Sequence, residues 1–179
     1  MVKKAQIWIE TVLYTLIGLA LIGIVLTIVT PKINEQKDRS VIEQSIEALN
    51  NFDSKITETL DRGGGNVRSI PVFSIKKGEF YIDPINDSMF FVLSDLKKPY
   101  SELGIIIEIG RVKILSEEKQ KKNIVTLSLN YVGKANITYN GEETEIKKFS
   151  PGSIPYNFLI ENKGIKNELA EISIKETGA

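Results

Sequence analysis

The stretch TVLYTLIGLALIGIVLTIVT, residues 11–30, carries no charged side chain. Twenty residues are enough for an α-helix to cross a hydrocarbon core of about 30 Å. One acid, Glu10, stands immediately before the stretch, and Lys3 and Lys4 stand a few residues earlier. The composition therefore predicts a helix that is inserted in a membrane at some stage.

Two ordinary interpretations of this segment differ in what they require of its flanks. A cleaved secretory signal peptide has an apolar core of about 7 to 15 residues and a small-residue cleavage site. This run is longer, and residues 26–31 read LTIVTP. A plain single-pass anchor fits the length, and a carboxylate such as Glu10 is tolerated near the bilayer edge. The basic residues on the two sides of the segment are similar in number, so they do not fix its orientation.

A third interpretation uses every residue of the N-terminal motif. Lys4-Ala5-Gln6 places a basic and a small residue before a new N-terminus, and Gln6-Ile7-Trp8-Ile9-Glu10 follows. This motif resembles the class III signal peptide of archaeal type IV pilin-like proteins, which are cut by a prepilin peptidase. The start is similar to their Q-x-S-x-E pattern, with Trp8 where the pattern has a serine. The resemblance implies a cut after Ala5, which makes Glu10 the fifth residue of the mature chain.

The spacing of Gln6 and Glu10 also has a physical reading. After a cut, the α-amino group of Gln6 would sit at the positive end of a helix dipole. Glu10 lies about 6 Å further along the axis and could neutralise an amine that is carried into an apolar environment, where an unpaired charge is costly. In a filament, the partner amine would belong to a neighbouring subunit. The motif thus marks Lys4, Ala5 and Gln6 for processing, and Gln6 and Glu10 for assembly.

Composition excludes several kinds of chemistry. The 179-residue chain has 23 basic and 23 acidic side chains, so no net charge attracts nucleic acid over long range. It has no Cys and no His, which removes disulfides, thiol chemistry, and the commonest general base and transition-metal ligand. We expect no enzymatic activity, no cofactor and no metal site.

Residues 32–62 are predicted to form an amphipathic helix. Pro31 precedes it and removes an N–H, which predicts a kink or a short break. Apolar residues then recur at steps of three or four, the pattern of a helix with one buried face; they are Ile42, Ile46, Leu49, Phe52, Ile56 and Leu60. Residues 63–66 contain Gly63, Gly64 and Gly65 and are interpreted as a helix cap and hinge. A phosphate-binding loop is a weak alternative, since no strand precedes the glycines.

Residues 67–179 change to the alternation that is typical of strands. Seven or eight strands are expected in an all-β sandwich or partly closed barrel, which makes the whole chain α+β. The candidate segments are 72–75, 79–82, 89–93, 105–114, 125–131, 136–139, 142–146, 156–160 and 170–174. Within 105–114 the apolar face changes register near Gly110, which predicts a glycine bulge. Asn140-Gly141 predicts a two-residue hairpin turn between 136–139 and 142–146.

Polar motifs in the β domain have plain and functional interpretations. Asn136-Ile137-Thr138 and Asn86-Asp87-Ser88 are N-glycosylation sequons, of which Asn136 is favoured because Asp87 occupies the middle position of the other. Ordinary turn residues are the alternative for both. Residues 83–87 lack the glycine and glutamate of a calcium loop and are interpreted as a turn. Residues 119–122, KQKK, could contact an acidic surface or form a solvated hairpin loop.

Together these features predict a structural pilin of an archaeal type IV pilus-like surface filament that serves adhesion or attachment. The implied domains are a leader (1–5), a transmembrane and filament-core helix (6–31), the amphipathic helix, the hinge and an extracellular β domain. The implied partners are further copies of the chain, the prepilin peptidase, the assembly machinery and, before assembly, the cytoplasmic membrane. The alternative is a monomeric, membrane-anchored extracellular β domain that binds a ligand.

Overall fold

A computed structural model describes residues 2–178, with side chains described from Trp8 to Gly178. Helix α1 spans Val2–Asp61 and continues across Pro31, so the proline does not divide it into two helices. The ring removes one N–H, which leaves the carbonyl of Thr27 without its usual helical donor. The chain divides into two compact units, Met1–Lys37 and Asp38–Ala179, and the second unit includes the C-terminal part of α1.

The part of the chain that the structure describes contains ten strands rather than seven or eight. They are β1 Val67–Phe73, β2 Glu79–Asp83, β3 Ser88–Leu96, β4 Ile106–Ile109, β5 Val112–Lys119, β6 Lys122–Asn130, β7 Ala135–Tyr139, β8 Lys147–Phe149, β9 Tyr156–Lys166 and β10 Leu169–Thr177. Relative to the candidate segments, 105–114 contains β4 and the start of β5, β8 was not predicted, and 143–146 do not form a strand.

The strands form two sheets. The first has the order β1-β9-β10-β7 and the second the order β4-β5-β6-β3-β2-β8. Neighbours are antiparallel except β7 and β10, which pair in parallel. A long helix followed by two sheets confirms the predicted α+β class with a sandwich-like β domain.

The second half of α1 completes the core of the β domain. Its predicted apolar face is buried, with Leu49, Phe52 and Ile56 fully inaccessible. The ring of Phe52 lies 5.1 Å from that of Phe73 in the first sheet and 5.5 Å from that of Phe80 in the second. Aromatic rings bury large areas and favour tilted and edge contacts at these distances. The helix is therefore a third layer of one hydrophobic core.

The glycine-rich segment caps α1 as predicted. Gly63 has a φ of +79°, and its N–H donates to the carbonyl of Leu60 at 3.1 Å. The side-chain amide of Asn66 donates to the carbonyls of Arg62 and Gly63. A left-handed residue after the last turn satisfies carbonyls that would otherwise lack donors. The N–H of Gly65 then donates to the carbonyl of Asn162 in β9, so the cap leads directly into the first sheet.

The predicted bulge at Gly110 is wrong. Gly110 has a φ of +65° and forms a tight turn with Arg111, and Ile109 pairs directly with Val112 in an antiparallel hairpin. Paired residues share a face of the sheet. Ile109 and Val112 therefore lie on one face, although one residue number is odd and the other is even. The register shift in the sequence was therefore the signature of a chain reversal and not of an extra residue.

The predicted hairpin at Asn140-Gly141 is correct only at its turn. Tyr139 and Glu142 exchange two backbone hydrogen bonds of 3.0 Å around a turn in which both central residues have positive φ. Residues 143–146 do not continue as a strand. β7 pairs with β10 instead, and the chain next enters the second sheet at β8, where Phe149 is buried. Burial of Phe149 offers more apolar contact than a strand in which Glu142, Glu143 and Glu145 recur.

Candidate functional site

The apolar segment of α1 is the largest exposed apolar surface in the described part of the chain. Trp8 is 71% exposed and Tyr14 72% exposed, and the other large apolar side chains of residues 9–29 are exposed to at least 40%. Soluble monomers rarely expose apolar patches above a few hundred Å². By length and composition, this is the one helix among the described residues that could cross a membrane. A membrane anchor is the coarse role that its composition supports.

The polar side chains inside the segment are satisfied by the helix itself. The hydroxyl of Thr15 donates to the carbonyl of Thr11 at 2.8 Å. Thr27 and Thr30 donate in the same way to the carbonyls of Gly23 and Leu26, at 2.8 and 2.7 Å. A hydroxyl without a partner is costly in an apolar medium, but one that bonds the preceding turn is tolerated in membrane helices. These threonines therefore do not oppose insertion.

The predicted processing and assembly residues lie at the start of α1. The side chains of Lys4, Ala5 and Gln6 lie outside the described side chains, although their backbone belongs to the helix. Glu10 is exposed. The cut after Ala5 and the pairing of the Gln6 amine with Glu10 remain predictions.

A partly buried polar contact joins α1 to the second sheet. Oδ1 of Asp53 accepts hydrogen bonds from Nη1 of Arg111 at 2.7 Å and from the hydroxyl of Tyr131 at 2.8 Å. The guanidinium of Arg111 lies 5.1 Å from the centroid of the Tyr131 ring. Tyr131 is fully buried, and burial, followed by the negative charge of Asp53, raises the pKa of its phenol well above the ordinary value. This contact ties α1 to the residue before β5 and to the residue after β6.

A second polar contact holds α1 where it enters the β domain. Oδ1 of Asp38 pairs with Nζ of Lys77 at 2.8 Å, and Oδ2 accepts a hydrogen bond from the backbone N–H of Lys97, also at 2.8 Å. Asp38 is the first residue of the second compact unit. The contact therefore marks the level at which the helix leaves the domain. Sequence reasoning did not single out either Asp38 or Asp53, because both read as polar positions of an amphipathic helix.

The two sequons differ in accessibility. Asn136 is half-buried in β7 and donates to Oε1 of Glu143, and Thr138 of the same sequon is fully buried. Asn86 is exposed in a turn, where its amide donates to Oδ2 of Asp83 at 2.8 Å. On the folded domain, Asn86 is thus the more accessible acceptor, although the sequence favoured Asn136. Whether either is modified stays a prediction.

The segment 83–87 forms the turn that the sequence predicted. Oδ1 of Asp83 accepts hydrogen bonds from the N–H groups of Ile85 and Asn86, and Asp87 has a φ of 44°. Oδ1 of Asp87 accepts from the N–H of Ile137, which links the turn to β7. These carboxylates therefore order the backbone.

A small apolar patch lies beside the edge strand β4. A cavity of about 270 Å³ is lined by Ile46, Glu47, Tyr100 and Ile109, among others. Exposed apolar side chains continue from it along the chain at Leu103, Ile105 and Ile106. β4 ends the second sheet, so its outer backbone groups have no strand partner within the described chain. Such an edge can accept an extended peptide.

No family model, curated protein or solved structure matches the chain.

Proposed function

We propose that the chain is a non-enzymatic structural subunit of a type IV pilus-like surface filament. In this proposal, the precursor is inserted in the cytoplasmic membrane through residues 6–31 and is trimmed after Ala5. The subunits then polymerise through the apolar segment of α1, and the β domain is displayed outside for adhesion or attachment. The prepilin peptidase and the pilus assembly machinery are the expected partners.

The observation that carries the proposal is that the two halves of α1 differ in the exposure of their apolar side chains. Residues 42–56 bury their apolar face against the β domain, whereas the apolar side chains of residues 8–29 are exposed on all sides of the helix. A helix that is apolar all round requires lipid or other apolar helices around it. A filament core supplies such helices after the chain leaves the bilayer. The N-terminal motif that resembles a class III signal peptide adds the chemistry of processing.

Replacement of Glu10 by Gln tests the assembly step. The substitution keeps the size and polarity of the side chain but removes its charge, so an N-terminal amine in the core would lose its counter-charge. We expect at least a tenfold decrease of the chain in sheared surface material, with its level in the membrane unchanged. The matched control is Glu47→Gln, which removes an exposed acid from the other half of the same helix. Equal recovery of Glu10→Gln and wild-type filaments would contradict the assembly role of Glu10.

The second candidate is a monomeric anchored domain that binds a ligand at the envelope. The apolar patch beside β4 favours it, because an exposed edge strand next to a cavity is a common peptide-binding arrangement. In that case the chain would keep Lys3 and Lys4 and remain in the membrane fraction. Size analysis of the chain extracted in detergent would then give one copy per particle.

A further inference from the structure

Lysines gather at the end of the β domain where α1 enters it. Three neighbouring connections supply them: the β1–β2 loop, the residues that follow β3, and the β5–β6 turn. We call the set the stem-end lysines; they are Lys76, Lys77, Lys97, Lys98, Lys121 and Lys122. Five of the six are exposed, and Lys77 is partly buried against Asp38.

Contacts through Asp95 show that the three connections lie together. Oδ1 of Asp95 pairs with Nζ of Lys122 at 2.6 Å, and the carbonyl of Asp95 accepts a hydrogen bond from Nζ of Lys77 at 3.1 Å. Lys122 lowers the pKa of Asp95, and the charges of Lys77 and Lys97 lower it further. The β5–β6 turn is also held here, because Asn123 pairs with Leu96 at the end of β3.

Acids at this end do not balance the lysines. Lys119 and Glu117 pair with each other at 3.3 Å and cancel. Lys77 pairs with Asp38 and Lys122 with Asp95. Lys76, Lys97 and Lys121 then outnumber Glu118, the other acid beside them, by two positive charges. The whole chain has no net charge, so the remainder of the molecule is correspondingly acidic. The domain therefore carries a charge asymmetry whose positive pole is the end that α1 enters.

The length of α1 limits the distance between this pole and the apolar segment. Asp38, which contacts Lys77 and Lys97, follows Thr30 by eight residues, about 12 Å of helix. Headgroups extend about 5 to 7 Å beyond the hydrocarbon core, so the chain at Asp38 lies within about 7 Å of them, which is less than the Debye length of about 8 Å at physiological salt. Lysine side chains are long and flexible and keep their charged ends in water. Lysines held at this level therefore feel the potential of a charged bilayer surface.

We infer that the stem-end lysines bind the headgroups of anionic phospholipids and hold the β domain against the membrane surface before assembly. The inference rests on the part of the proposed function that places the apolar segment of α1 in a bilayer. Clusters of lysines next to a membrane helix attract anionic lipids in this way. The attraction weakens with salt, so it restrains the domain without preventing its later release.

The absence of cysteine makes a direct test possible. A single Cys at Ser94, an exposed position next to Asp95, carries a fluorophore on the full-length chain in vesicles with about 30% phosphatidylglycerol or in neutral phosphatidylcholine vesicles. Quenching by a nitroxide on the lipid headgroups reports contact. The control label is Ile165→Cys, in β9 next to Gly164, whose Cα lies 3.1 Å from the Cβ position of Gly64, just after α1 ends. Quenching of Trp8, the only tryptophan, by brominated lipid reports insertion of α1 in the same samples.

Charge variants separate this surface from a general charge effect. Lys97→Gln with Lys121→Gln removes two exposed lysines and leaves the Lys77–Asp38 and Lys122–Asp95 pairs intact. Lys134→Gln with Lys147→Gln makes the same change of net charge at exposed positions elsewhere. Each stem-end lysine removed should lower the ratio of headgroup-contacting to free domains about fivefold. The control pair should leave that ratio unchanged.

The expected result is strong quenching of the Ser94 label in anionic vesicles, weak quenching in neutral vesicles or at about 0.5 M salt, and weak quenching of the Ile165 label throughout. Equal quenching of the Ser94 label in neutral and anionic vesicles, or an equal effect of the two charge variants, would overturn the inference. If Trp8 is quenched in those samples, membrane insertion stands while lipid binding by the lysines fails. If Trp8 is not quenched, insertion fails and the inference fails with it.

Discussion

At the scale of single residues, the phenol of Tyr131 is fully buried in the native domain, and its pKa is raised there. The phenol donates to the carboxylate of Asp53, which is itself held by Arg111. A hydrogen bond to a charged group contributes about 1.5 to 3 kcal/mol. The contact joins residues that are 58 and 78 positions apart, so no local pattern in the sequence could have signalled it.

Replacement of Tyr131 by Phe should destabilise the β domain by about 1 to 3 kcal/mol, because Asp53 loses a buried donor. The substitution should also make the free energy of unfolding fall less steeply with pH at alkaline pH. The native pKa of Tyr131 is raised, so above the unfolded pKa of about 10 the unfolded chain releases a proton that the native chain keeps. Stability therefore falls as pH rises, by up to about 1.4 kcal/mol per pH unit.

Urea unfolding of the full chain in detergent between pH 8 and 11 measures both effects. The control is Tyr156→Phe, whose hydroxyl donates to the carbonyl of Ser150 at an exposed position. If Tyr131→Phe and wild type lost stability in parallel above pH 10, the buried phenol would not be the source of the pH dependence.

A comparison of Gly78→Ala with Gly104→Ala separates the cost of a positive φ from the cost of a steric clash. Both glycines have nearly the same positive φ, 77° and 75°, which L-residues adopt only at a cost. A Cβ on Gly78 would lie 2.4 Å from the carbonyl oxygen of Val92, whereas a Cβ on Gly104 would have open space. Gly78→Ala should therefore destabilise the domain by at least about 1 kcal/mol more than Gly104→Ala in chemical unfolding. Equal losses would mean that the β2–β3 edge relaxes to admit a methyl group.

At the scale of elements, Asp38 fixes the point at which α1 joins the β domain. Its carboxylate accepts from Nζ of Lys77 and from the N–H of Lys97. Asp38→Ala should expose that N–H to solvent and loosen the adjacent turn of α1. We expect at least tenfold faster amide exchange at Lys97 and over residues 38–42, with the exchange of β9 unchanged.

Glu43→Ala is the matched control for Asp38→Ala. Glu43 lies on the same helix but pairs with Arg39 at an exposed position, where an ion pair contributes little. Equal amide exchange in Asp38→Ala and Glu43→Ala would show that apolar packing alone holds this turn of α1.

The elements also show what local sequence could predict. The 3.6-residue period of residues 42–56 and the glycines after Asp61 were sufficient for the amphipathic helix and its cap, because both depend on neighbouring residues. β1 was placed at 72–75 but spans Val67–Phe73, since its limits are set by pairing with β9, almost a hundred residues away. The strand predicted after Asn140-Gly141 does not form, for the same reason. Phe149 takes a core position in β8, which pairs with β2, and this pairing replaces the second arm of the hairpin. Pairing partners distant in sequence cannot be read from alternation.

At the scale of the whole molecule, the two compact units differ in whether their apolar side chains are buried or exposed. The unit from Asp38 onward buries its apolar side chains around Phe52 and the two sheets, while the described part of the preceding unit leaves its apolar side chains exposed. Sequence composition was enough to predict that contrast, because it depends on residue type and not on pairing. The proposed role in a filament follows from the contrast together with the Lys4-Ala5-Gln6 and Glu10 motif.

The most direct test of this account is the N-terminus of the natural protein. Intact mass and N-terminal peptide mapping should be measured on chain recovered from native membranes and from sheared surface material. We expect chains that begin at Gln6, enriched in the sheared fraction. Chains that begin at Met1 or Val2 and remain with the membrane would contradict this account, and would leave α1 as a permanent anchor for a ligand-binding β domain.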